Sequence, residues 1–68
     1  MAKEVKYREV ERFLLDQGWQ VLRTRGSHEI WGGPNGAGRL TIPRHGTVSP
    51  GVVRDVIQMF PNAPKSWR

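Results

Sequence analysis

The sequence predicts an α+β domain, a meander of three short antiparallel strands with two helices packed on one face of the sheet. Three observations carry this. One amphipathic stretch opens the chain and another nearly closes it, β-forming segments lie between them, and glycine-rich connections separate those segments. Connections this short join antiparallel strands, because parallel strands need a long crossover. Two helices with one apolar face each bury both stripes at once by sharing a sheet face. The opposite face is then left to solvent or a partner.

The first helix starts within residues 4–7, where no capping residue fixes the boundary. Tyr7, Val10, Phe13, Leu14 and Gln17 fall on helical spacing with charged residues between them, and Gly18 supplies the C-terminal stop. Trp19 to Arg25, "WQVLRTR", is rich in β-formers and reads as the first strand. Gly26-Ser27 makes a turn into a second strand, His28 to Trp31. "GGPNGAG", residues 32–38, is a flexible hairpin loop, since it lacks the Gly-Lys-Ser/Thr ending of a phosphate-binding loop and leads into a strand. Arg39 to Pro43 is the third strand, ended by a proline that cannot donate to a ladder. Ser49 as cap and Pro50 at the first position start the second helix, whose stripe is Val53, Val56, Ile57 and Phe60. Pro61 closes it, and residues 61–68 read as an extended C-terminal tail in which Trp67 must dock or stay exposed.

The 68 residues make one domain, 1–68, with its core in about 5–60. A chain this short buries only about 60% of the surface it exposes when unfolded, which leaves few side chains for a large cofactor cavity. No cysteine is present, so thiolate zinc sites and disulfide scaffolds are excluded. The start, "MAKEVKYREVERF", is charged where a signal peptide would be apolar, and a soluble cytoplasmic protein is expected.

Net charge is +5, and its placement is uneven. Residues 1–16 balance Lys3, Lys6, Arg8 and Arg12 against Glu4, Glu9, Glu11 and Asp16. Residues 17–54 set Arg23, Arg25, Arg39, Arg44 and Arg54 against Glu29 alone. Arginine forks bind oxyanions bidentately, so this segment points to phosphate or nucleic acid. A solvated surface that keeps a small protein soluble is the plainer reading of the same charge.

Candidate chemistry is limited by what the chain holds. A metal would have to be gathered from His28, His45, Glu29 and other acids, with no paired-histidine spacing, and none is expected. A Ser27-His28 dyad is disfavoured because neighbours on a strand point to opposite faces. Histidine acid–base chemistry on RNA remains. It removes the 2′-hydroxyl proton and protonates the leaving 5′-oxygen, and imidazole suits both steps near neutral pH without metal or cofactor. Both histidines sit among arginines.

The chain also resembles a known family. "GW", then "RGSHEIW", then "LTIPRHGTVSPGVVRDVI", in this order and at these distances, are similar to the HicA (YcfA-like) mRNA interferase toxins over roughly residues 5–60. Gly26-Ser27-His28 and Pro43-Arg44-His45-Gly46, with Gly51 at the helix start, are the most specific pieces. The resemblance implies a double-stranded-RNA-binding-domain-like α-β-β-β-α fold and an endoribonuclease whose essential histidine matches His28. It also implies neutralisation by a HicB-type antitoxin. On this reading His28 is the catalytic base, and Arg23, Arg25 and Arg44 hold the RNA backbone. His45 is the candidate second acid–base or phosphate-contacting group. Glu29 departs from the residues usual after that histidine, but alternation turns it to the other face. A non-catalytic RNA-binding module on the same basic face, or a small protein-interaction domain using Trp67, are the alternatives.

Overall fold

The computed structural model describes residues 2–68. Its elements are β1 (Val5–Lys6), α1 (Tyr7–Asp16), β2 (Gln20–Arg25), β3 (His28–Gly32), β4 (Arg39–Pro43), β5 (Thr47–Val48) and α2 (Pro50–Met59). Strands β2, β3 and β4 form the expected antiparallel meander in that order. A second, two-stranded ladder pairs Val5 with Val48 and Lys6 with Thr47. Two-residue strands leave no periodicity to read, so this ladder is not among the expected elements. Among the described residues, no helix is long and apolar enough to cross a membrane.

Helix α1 ends as a glycine allows. Gly18 has φ 83°, its N–H donates to the Leu15 carbonyl, and the Trp19 N–H donates to the Leu14 carbonyl. This is the Schellman arrangement, which a residue with a Cβ would strain. Ser49 has the extended backbone of a cap, but its side chain makes no capping hydrogen bond. Pro50 at the first position, with its φ already set and no N–H to satisfy, starts α2 instead.

Both helices cover one face of the meander. Val10 and Leu14 of α1 and Val53 and Val56 of α2 join Trp31, Leu40 and Ile42 of the sheet in one buried cluster, with the paired Val5 and Val48 of the second ladder. Burial of each such aliphatic side chain is worth about 1.5–3 kcal/mol.

Residues 61–68 do not trail as an extended tail. Pro61 and Asn62 turn the chain, Lys65–Trp67 form a 3-10 turn, and Trp67 is only 3% exposed. Its ring meets Phe13 edge-on at 5.3 Å, and Phe60 meets Phe13 and Trp19 at 5.2 and 5.1 Å. The core therefore runs past residue 60 to include Ala63 and Trp67.

Candidate nucleic-acid interface

The sheet has an inner face under the helices and an outer face that no helix covers. Register sorts its residues. Trp31 lies opposite Val21 and Leu40, and Glu29 opposite Thr24 and Ile42, on the inner face. His28 lies opposite Arg25 and Pro43, and Ile30 opposite Arg23 and Thr41, on the outer face. Directly opposed residues sit side by side, with Cβ atoms about 4.5–5.5 Å apart. Thus His28 has an arginine beside it across the ladder.

A β-bulge puts both arginines there. In a regular strand Val21, Arg23 and Arg25 would share a face, and register sets Val21, 38% exposed at the sheet edge, on the Trp31 side. The register shifts between Val21 and Arg23, and the extra residue, Leu22, reverses the phase. Arg23 and Arg25 then face out with His28. Leu22 lies over Gly32, where a Cβ would stand 2.9 Å from Leu22 Cγ. A side chain at position 32 would displace Leu22 from this place.

The hairpin leading to His28 is a two-residue loop opened by Gly26 at φ 58°. Its other residue, Ser27, accepts a hydrogen bond from the Arg44 N–H. Pro43 can donate nothing to His28, so Arg44 resumes the pairing one residue later and clamps the turn. After it the chain bends, with the His45 N–H donating to the Pro43 carbonyl at 3.0 Å and the Tyr7 N–H to the Gly46 carbonyl at 3.1 Å.

Of the five residues singled out by sequence, Arg23, Arg25 and His28 share the outer face. Arg44 and His45 occupy the bend beside its turn end, and all five are exposed. Arg44 lies close enough to the Tyr7 phenol to favour its ionised form.

Sequence reasoning missed the polar cluster behind His28. Glu29, 6% exposed, accepts hydrogen bonds on Oε1 from the Tyr7 hydroxyl and, at 3.3 Å, from Trp31 Nε1. Burial first, then the hydrogen bond to Glu29 and the charges of Glu29 and Glu11, push the Tyr7 phenol's ionisation well upward, against the pull of Arg44. The signal was available, since a carboxylate forced inward by alternation needs donors, and Tyr7 and Trp31 are the hydroxyl and indole on that side. Arg39, which alternation with Leu40 and Ile42 turns outward and register sets opposite Gly32, was not among the candidate site residues.

This face offers a general acid–base group among oxyanion-binding forks, open to an extended substrate. A family model described as HicA toxin of bacterial toxin-antitoxin matches residues 7–59, from the start of α1 to the end of α2. No curated protein and no solved structure matches the chain.

Proposed function

The chain belongs to the HicA family of bacterial toxin–antitoxin toxins, and from that premise we propose that it is an mRNA-cleaving endoribonuclease with His28 as its general base. The observation that carries this is the register of His28 with Arg25 on a sheet face that is free of helices and of acidic side chains. His28 withdraws the 2′-hydroxyl proton, and that oxygen attacks the adjacent phosphorus in line. The bond from phosphorus to the 5′-oxygen breaks, and the leaving oxygen takes a proton from an acid, for which His45 is the candidate. The products are a 2′,3′-cyclic phosphate and a free 5′-hydroxyl. Arg23, Arg25 and Arg44 hold the phosphodiester and offset the charge that grows on it. The chemistry calls on no metal or cofactor.

The antitoxin partner is, on this reading, a HicB-type protein that silences the toxin by covering the same face. A standard interface buries about 800 Å² on each partner. The whole chain exposes 4666 Å², so a firm partner on the open side of the sheet has little room to miss His28.

The test is incubation of RNA in excess EDTA with the wild-type chain and with His28→Ala. The wild type is expected to leave cyclic or 3′-phosphate ends, and the variant to lose about 10²–10⁴ in rate with an unchanged circular-dichroism spectrum. Full activity of the folded variant would overturn the assignment. A mobility shift without cleavage by the wild type would favour a non-catalytic RNA-binding module.

A further inference from the structure

The outer face continues well past His28. Along the ladder it runs from Arg25, His28 and Pro43 through Arg23, Ile30 and Thr41 to Leu22, Gly32 and Arg39. His28 and the Gly32–Arg39 pair are four residues apart on β3, about 13 Å at strand rise, room for roughly two or three nucleotides of extended strand. Arginine stands at both ends of this run. Half-buried Ile30 lies between them, and Leu22, 49% exposed, lies across β3 from Arg39, so the far half of the face has an apolar ledge. Glu29 is turned inward, and the face carries no acid. Around the β4 edge, Asp55 of α2 shares a shallow groove with Arg39 and Thr41 and marks where the basic run stops.

We infer that this face is a track for an unpaired RNA strand, with Arg39 contacting a phosphate at its far end and Ile30 and Leu22 supporting bases along the run from His28. Charge complementarity selects a polyanion, and the ledge selects its unpaired form. A duplex offers proteins mainly phosphates and 2′-hydroxyls and keeps the faces of its bases stacked. A single strand exposes those faces, and they rest on side chains in a basic groove with little regard for sequence. The bulge serves the track twice, since it aims Arg23 outward and leaves Leu22 over Gly32. The inference rests on the ribonuclease reading for its direction, but binding tests it apart from cleavage.

The probes are fluorescent 2′-O-methyl uridine oligomers of two and six nucleotides, which lack the attacking hydroxyl, and a short 2′-O-methyl hairpin duplex. Anisotropy is measured with the wild type, Arg39→Gln and Leu22→Ser, and the matching RNA hexamer is assayed for cleavage. Arg39→Gln should weaken the hexamer up to about fivefold, the size of one exposed ionic contact. Its log–log salt slope should become shallower by about 0.7, one phosphate's worth. The dinucleotide, too short to reach Arg39 from His28, should be unaffected. Leu22→Ser should weaken the hexamer with no change in salt slope, and the wild type should bind the hexamer more tightly than the duplex. The track is overturned if the hexamer is not bound at low salt, if Arg39→Gln affects both lengths alike or neither, or if the duplex binds better. It is also overturned if the two substitutions weaken binding of the antitoxin alone. Oligomer binding as expected with an uncut RNA hexamer would refute the ribonuclease reading and leave the track standing.

Discussion

Glu29 and His28 are neighbours in the chain and never share a surface. The carboxylate that would repel a phosphate is spent on Tyr7 and Trp31, tying the first residue of α1 to the strand that presents the histidine. Tyr7→Phe removes one of those donors and should lower stability by about 1–3 kcal/mol in urea titrations, the cost of leaving a buried acceptor under-satisfied. The same contact fixes an alkaline limit. The folded chain holds the phenol proton more tightly than the unfolded chain, whose tyrosine ionises near its ordinary value of 10.0. Stability from the neutral phenol is therefore complete below pH 10 and falls as pH rises beyond it. Melting temperatures from pH 8 to 11 should decline more steeply above pH 10 for the wild type than for Tyr7→Phe. Parallel curves would remove the phenol from the alkaline transition.

At the scale of elements, residues that follow local rules were legible and residues fixed by distant partners were not. Period-two alternation in "SHEIW" put His28 out and Glu29 in, and the apolar stripes, with Gly18 after the first helix and Pro61 after the second, marked both helices. The alternation of Val21, Arg23 and Arg25 misleads, because only the pairing with Trp31 and Ile30 shows the extra residue that reverses it. Alternation with Leu40 and Ile42 also turned Arg39 outward, but only the pairing with Gly32 places it on the same face as His28. The pairing of β1 with β5 and the docking of Trp67 join segments far apart in sequence. Trp67 lies beyond the 7–59 span of the family match, yet it packs against Phe13 of α1. Trp67→Ala should cost about 3–5 kcal/mol, the usual loss for a buried tryptophan. In a domain whose total margin is about 5–15 kcal/mol, that brings unfolding close to ambient conditions, as a urea midpoint would record.

The whole molecule is a slab, 16 Å in its thinnest extent, with helices on one side and an open sheet on the other. Its charge follows the same division. Helix α1 sets Arg8 and Arg12 against Glu9, Glu11 and Asp16, one acid in excess, while the open face carries Arg23, Arg25 and Arg39 with no acid. RNA affinity should therefore fall steeply with salt, with a log–log slope near −0.7 for each phosphate engaged on a single strand. A flat salt response would mean that this face is ordinary solvated surface. The docked tail has one further effect. The Lys3 N–H donates to the Trp67 carbonyl at 2.7 Å, so the two ends of the described chain meet. Residues 3–67 are therefore nearly a closed ring. A short linker from residue 68 to residue 2, with new ends opened between Pro34 and Ala37 where the β3–β4 connection is exposed, would keep every strand pairing in place. Such a circular permutant should fold and retain RNA binding, and its amide exchange should match that of the parent outside the two altered junctions.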